Sequence, residues 1–183
     1  MLNIQLEWTP NPATLKYVLD RAVLPYGALN LTSREEAAAK SPLAARVMEV
    51  KGVTGVMLGP NFITVTKGPD GEWDEMNDGV MAALEAFDAS GQPAILEGAL
   101  IRPSPEGASE AEKKIRHVLE TEIRPAVAMD GGDISLSRYE DGVAYMHMQG
   151  SCSGCPSSQL TLKQGIESRL REIVPDLVEV VPV

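Results

Sequence analysis

Ile134-Ser135-Leu136-Ser137-Arg138-Tyr139 and Val143-Ala144-Tyr145-Met146-His147-Met148, joined through Glu140-Asp141-Gly142, decide the architecture of the C-terminal half. Both runs are short and rich in β-formers, and Asp-Gly supplies the residues a tight turn demands, so they are predicted to pair as a hairpin. Directly behind the second run stands Gly150-Ser151-Cys152-Ser153-Gly154-Cys155-Pro156-Ser157-Ser158. Ser157 or Ser158 is the expected cap of a following helix, whose Leu162, Ile166, Leu170 and Ile173 recur as one buried stripe. Pro175-Asp176 stops that helix, and Leu177 to Val181 reads as a closing strand. Upstream, Ser109 with Glu112 forms a capping box ahead of Ile115, Val118, Leu119 and Ile123, a helix that Pro125 breaks or kinks.

The N-terminal half has the same mixture. Leu2 to Trp8 alternates apolar and polar residues as a half-buried strand does, and Thr9-Pro10-Asn11-Pro12 ends it. Ala28 to Leu31 is a second, short strand. Ser33 and Glu36 read as another capping box, and Ser41-Pro42 as an N-cap with proline at the first helical position, ahead of Leu43, Val47 and Val50. Val53 to Leu58 and Phe62 to Thr66 form a hairpin around Gly59-Pro60-Asn61, and Met76, Val80, Leu84 and Phe87 mark an amphipathic helix. Between Ala89 and Ala108 fall Gly91, Pro93, Gly98, Pro103, Pro105 and Gly107, a density of breakers that reads as a linker, although Ala94 to Ile101 is apolar enough to pack somewhere. The expected fold is α+β: two small mixed α/β-layer domains, 1–88 and 109–183, joined by a Pro/Gly-containing linker over 89–108.

Composition narrows the function. Hydrophobic residues make up 44% of the 183, enough for packed cores. The net charge is −10, and neither half is basic: lysine and arginine number seven against twelve acids in residues 1–90, and nine against fourteen in 91–183. That argues against nucleic acid and against an anionic membrane surface as partners. No apolar run approaches the roughly 18 residues of a membrane span. The opening residues lack the signature of a signal or transit peptide, and two cysteines are too few for a secreted disulfide framework. The expectation is a cytoplasmic protein.

Those two cysteines, Cys152 and Cys155, carry the chemistry. Two thiolates at this spacing can chelate one edge of a metal site, whereas tetrahedral zinc and the common iron–sulfur clusters want four ligands. If the pair binds metal, the remaining ligands come from elsewhere, and a second copy of the chain related by a twofold axis is the obvious donor. The pair sits at a strand-to-helix junction, where free backbone N–H groups and the helix dipole are expected to lower a thiol pKa. Ser153 and Gly154 add little bulk, so backbone amides can approach sulfur, and Pro156 stiffens the exit. Three readings stay open on the residues themselves: a metal or cluster site, a thiol–disulfide redox pair, and inert thiols. A structural zinc site within one chain would need His117 or His147, whose spacing suggests no zinc finger, so each reads as a surface or sheet histidine. Asp130-Gly131-Gly132-Asp133 reads as a helix-to-strand turn, its alternative being a second loop whose glycines approach the cysteines. No phosphate-binding glycine loop, nucleophile elbow or HExxH is present, so no enzyme activity is assigned.

Arg124-Pro125-Ala126, Asp130-Gly131-Gly132-Asp133-Ile134, the stretch Gln149 to Ser158, and Thr161-Leu162-Lys163 with Gly165-Ile166-Glu167 closely resemble the NifU C-terminal-type domain. Thr9-Pro10-Asn11-Pro12, Leu15-Lys16, Ser41-Pro42-Leu43-Ala44 and Gly59-Pro60-Asn61-Phe62-Ile63-Thr64-Val65 resemble the Nfu N-terminal domain. Ser151 stands where alanine is common, and His147 is not a family ligand. The resemblance implies an iron–sulfur carrier or scaffold rather than an enzyme. It implies a 4Fe–4S cluster shared between two subunits, each giving Cys152 and Cys155, so that the chain is a homodimer when loaded. It implies cluster-supplying assembly proteins and apo iron–sulfur targets as partners, with the N-terminal domain as a docking module. A thiol–disulfide redox protein and a zinc-bridged structural dimer are the alternatives.

Overall fold

A computed structural model describes residues 2–100, 107–154 and 156–183. The chain divides into two compact units, 1–101 and 102–183. Each is a sheet with helices packed on it, the α+β class expected.

In the first unit, strands β1 (Ile4–Trp8), β2 (Thr14–Leu19), β3 (Leu29–Leu31), β4 (Val53–Leu58) and β5 (Phe62–Lys67) form one antiparallel sheet in the order β1-β2-β5-β4-β3. The predicted hairpin is β4–β5. Strand β2 was not foreseen. It lies between β1 and β5, and its Thr14, Leu15, Lys16 and Tyr17 are all buried. An inner strand covered on both faces loses the apolar–polar alternation by which a strand is recognised.

Helices α1 (Arg34–Lys40), α2 (Pro42–Met48) and α3 (Trp73–Ser90) complete the unit. Ser33 and Ser41 cap α1 and α2, each hydroxyl accepting from the backbone N–H three residues on. Leu43, Val47 and Met48 of α2 and Met76, Val80 and Leu84 of α3 meet Leu15, Tyr17, Val56, Ile63 and Val65 of the sheet in one core. Burying an aliphatic side chain of this size stabilises by about 1.5–3 kcal/mol. The Tyr17 hydroxyl donates to Oδ1 of Asn77 on α3 at 3.2 Å, so α3 lies over β2.

Helix α3 runs to Ser90 and is closed by Gly91 in the left-handed conformation, φ 66°. Ala94, Ile95, Ala99 and Leu100 then pack against the first core, held by Leu96 N–H on the Lys40 carbonyl and Ser41 Oγ on the Ala94 carbonyl. The apolar middle of the stretch read as a linker therefore straps the first unit, and residues 101–106 lie outside the described residues.

The second unit begins with α4 (Glu110–Val118), whose Ser109–Glu112 capping box is complete in both directions. A π-helical turn, Leu119–Ile123, leads into α5 (Arg124–Met129). Pro125 therefore does not break the helix. A proline ring collides with the carbonyl four residues back, and the wider turn relieves this by letting Arg124 N–H bond five back, to Leu119. Strands β6 (Gly132–Glu140) and β7 (Val143–Gly150) form the predicted hairpin, turning through Asp141 and Gly142 at φ 50° and 80°. Helix α6 (Pro156–Ile173) crosses over to β8 (Glu179–Pro182), which pairs parallel to β7. Helix α6 already runs from Pro156, so Ser157 and Ser158 fall in its first turn rather than at its cap, in keeping with proline's preference for the first helical position. Ile115, Val118, Leu119, Ile134, Met146, Ile166, Leu170 and Val180 form the core, and Cys152 is part of it.

Candidate cluster-binding loop

Pairing of β6 with β7 sets Gly132 opposite Gly150, which brings the Asp130–Asp133 loop against the start of the cysteine loop. Gly150 (φ 61°) and Gly131 (φ 75°) make the two bends. Ser151 ties the loops together: its N–H donates to the Gly131 carbonyl at 3.2 Å, and its hydroxyl donates to the Asp130 carbonyl. A β-carbon at Gly132 would lie 2.2 Å from Cys152 Sγ, so only glycine leaves room for the thiol. The Asp130–Asp133 segment is thus both the helix-to-strand turn expected and the close-approaching loop held as its alternative. Counting residues back from the Asp141-Gly142 turn, with one extra for the bulge between Leu136 and Arg138, would have found it.

Cys152 is buried, 7% exposed. Burial pushes its thiol up to about 11, Asp130 and Asp133 add to the shift, and a hydrogen bond with Ser151 opposes it. The expectation of a lowered pKa is corrected: desolvation, joined by Asp130 and Asp133, raises it. Nor are the loop's first amides free for sulfur. Ser151, Cys152 and Ser153 N–H donate to the carbonyls of Gly131, Gln149 and Gly150, because the turn uses them itself. At Gly154, φ 82°, a β-carbon would meet no atom of the described residues within 4 Å. Cys155, the second expected ligand, lies outside the described residues.

Arg124 grips Asp133 with both arms of its fork, Nε to Oδ1 at 2.8 Å and Nη2 to Oδ2 at 3.2 Å, and also donates to Glu120. Burial works against the Arg124 charge, but Asp133 and Glu120 more than offset it and hold the guanidinium pKa above its ordinary value. Asp133 is raised because burial outweighs Arg124. This pair staples α5 to the start of β6, one residue from Gly132. The sequence reading placed Asp133 in a turn and Arg124 in the family resemblance but did not pair them, since nothing in either sequence neighbourhood names the other as partner.

His147 Nδ1 lies 3.1 Å from the Val183 carbonyl, and His117 is exposed on α4. Among the described residues no three of His, Cys, Asp and Glu converge on a point where a metal ion could sit. A glycine-lined seat around one buried thiol fits a metal-ligating sulfur, but it needs further donors. Loading must also displace the thiol proton. No helix among the described residues is long and apolar enough to cross a membrane.

Residues 4–91 match the family described as "Scaffold protein Nfu/NifU N terminal", and residues 115–181 match "NifU-like domain". The human "NFU1 iron-sulfur cluster scaffold homolog, mitochondrial" is 38% identical over 179 residues, which cover 95% of this chain and 69% of that protein. "NifU-like protein 4, mitochondrial" of Arabidopsis thaliana is 39% identical over 180 residues, covering 95% and 63%. The solution structure of a NifU-like protein from Saccharomyces cerevisiae aligns with 53% of this chain and 87% of its own, at 21% identity and a TM-score of 0.47. The chain thus spans somewhat under two thirds of the Arabidopsis relative and slightly over two thirds of the human one. Both relatives are named as mitochondrial, which overturns the cytoplasmic expectation. Few cysteines point to reducing surroundings, and such surroundings are not peculiar to the cytosol.

Proposed function

Because this chain belongs to the Nfu/NifU family, with both of that family's characteristic regions in one sequence, we propose that it is an iron–sulfur cluster scaffold that loads a cluster at Cys152 and Cys155 and passes it to apo-proteins. The cargo is a 4Fe–4S cluster held between two copies of the chain, each contributing both cysteines. The observation that carries this reading is the seat of Cys152: one thiol, part of the second core, with Gly132 cut away to admit its sulfur and, among the described residues, too few donors around it to finish a site. A twofold copy makes up the deficit with four thiolates. Transfer follows from the same arrangement, because a target's thiols can replace one copy's pair while the other holds on. The chain acts as a carrier and catalyses no small-molecule reaction.

The proposed division of labour follows the domains, with 1–88 docking suppliers or targets, 89–108 connecting, and 109–183 holding the cluster. The names of the relatives point to a mitochondrial-type setting for this work. Burial, which raises the Cys152 thiol, works against Cys152 as the attacking thiolate of the redox-pair alternative.

Anaerobic reconstitution with iron and sulfide tests the proposal. About four irons and four sulfides per pair of chains, visible charge-transfer absorbance and a doubled mass on loading are expected. A colourless protein, or one that holds zinc alone, overturns it. Cys152→Ala and Cys155→Ala should each abolish loading while leaving a folded chain, and a full cluster in either variant would sink the shared site.

A further inference from the structure

We propose that the first unit carries a docking groove between β1 and the start of α3 that takes an extended, basic segment of a partner protein, anchored by one bulky apolar side chain.

The sheet register creates the groove. Ile4, Leu6 and Trp8 of β1 pair with Leu19, Tyr17 and Leu15 of β2, so their side chains share the sheet face that α3 covers. The helix reaches over β2 but leaves β1 partly open: Trp8 is 71% exposed and Leu6 38%. Between strand and helix lies a cavity of about 190 Å³ lined by Leu6, Trp8, Leu15, Trp73, Asp74 and Asn77. Its far wall is fixed, because Trp73 Nε1 donates to the Pro12 carbonyl at 3.1 Å and Asn77 accepts from Tyr17. A single exposed tryptophan is ordinary on a protein surface. Two tryptophans facing each other across a preformed groove are a different matter, for they offer large apolar area with few rotamers to freeze.

Charge and backbone identify the occupant. Of the acids on α3, Asp74 lines the cavity, and the helix carries no lysine or arginine to offset it. Glu7, between Leu6 and Trp8 on β1, lies on the opposite face, where it holds the buried Lys16 at 2.9 Å, so neither charge enters the groove. An apolar slot with one carboxylate, Asp74, in its wall selects a segment bearing lysine or arginine beside its apolar anchor. Strand β1 has one hydrogen-bonded neighbour in its sheet, so alternate backbone groups along its outer edge can receive an added strand. An extended basic peptide meets all three features.

This inference rests on the docking role proposed for residues 1–88, yet its test needs no iron, so its failure is distinct from failure of cluster loading. Trp8 and Trp73 are the only tryptophans in the chain, which makes intrinsic fluorescence a direct reporter of the groove. The probe is a peptide of about eight residues alternating lysine with valine around a central phenylalanine. A second peptide with glutamate replacing lysine serves as control. Titration of the full chain with the lysine peptide should give a saturable blue shift that weakens as salt is raised. Trp8→Ala, at an exposed position, should weaken binding about tenfold or more, and Asp74→Lys should weaken it for the lysine peptide alone. Absence of a saturable change, equal binding of the glutamate peptide, or undiminished binding by Trp8→Ala each overturns the proposal. So does concentration-dependent self-association of the unliganded chain that Trp8→Ala abolishes, which would make a second copy the occupant.

Discussion

Gly132 lies hard against Cys152: a β-carbon there would stand 2.2 Å from the cysteine Sγ and 3.2 Å from its Cβ. The two residues are twenty apart in sequence and meet because β6 and β7 pair Gly132 with Gly150. Gly132→Ala must push the buried thiol out of its seat. We expect a loss of about 1–3 kcal/mol in stability of the second unit, as for other overpacked sites, together with reduced iron loading. Gly165→Ala is the control of opposite sign. That residue is exposed within α6 with nothing within 4 Å of its would-be β-carbon, so alanine should stabilise by about 0.5–1 kcal/mol. Urea melts of both variants decide the matter, and an unshifted Gly132→Ala midpoint would mean that the contact constrains nothing.

The thiol itself gives a pH signature. In Cys155→Ala, Cys152 is the chain's one remaining thiol. Burial first, then Asp130 and Asp133, carries it from about 9 to about 11. A folded-state pKa above the unfolded one means the group's stabilising contribution is complete below about pH 9 and is lost as pH rises through about 11. Alkylation of this variant should therefore accelerate with an apparent midpoint near 11, and its urea midpoint should fall over the same window. An alkylation midpoint at or below pH 8.5, the ordinary range for a free thiol, would show that the helix terminus governs after all.

Two arginines of the second unit should behave differently. Arg124 and Asp133 are a largely buried pair, with side chains 18% and 10% exposed. Removing the guanidinium leaves a buried carboxylate without its partner, at a cost of about 3 kcal/mol. Arg169 forks onto Glu122 at 2.7 and 2.8 Å in the open, where water replaces the pair readily. Arg124→Ala should lower the urea midpoint strongly and Arg169→Ala hardly at all. A combined Arg124→Met and Asp133→Leu variant should recover much of the loss, which a double-mutant cycle measures. Equal midpoints for the two alanine variants would count against the buried pair as the staple between α5 and β6.

What the sequence made legible was whatever is encoded locally. The Asp141-Gly142 turn, the Ser41-Pro42 start of α2 and the Ser109–Glu112 box stand where residue chemistry placed them, because a cap or turn is decided within four residues. Strand β2 was missed because its identity comes from its neighbours: Thr14 and Lys16 are polar yet buried, and Lys16 is bonded to Glu7 of β1. The wrong sign for the Cys152 pKa has the same origin. A helix start near Ser157 was legible, but that the sulfur sits inside the core beside Asp130 and Asp133 depends on hairpin register. The fork of Arg124 onto Asp133 likewise waits on the π-helical turn, of which Pro125 announced only a break or kink.

The second unit should fold alone. Among the described residues, every member of its core and every apolar side chain packed on that core falls between Ala111 and Val180, and its first helix is capped by its own Ser109 and Glu112. Residues 109–183 expressed alone should therefore show helix and strand by circular dichroism and unfold in one cooperative urea transition. The fragment should also load iron and sulfide and dimerise as it does so, since both cysteines and the Gly131-Gly132 seat lie within it. A fragment that folds but stays colourless would place part of the cluster site in residues 1–108. One that does not fold would show that the first unit supplies stability the second core lacks.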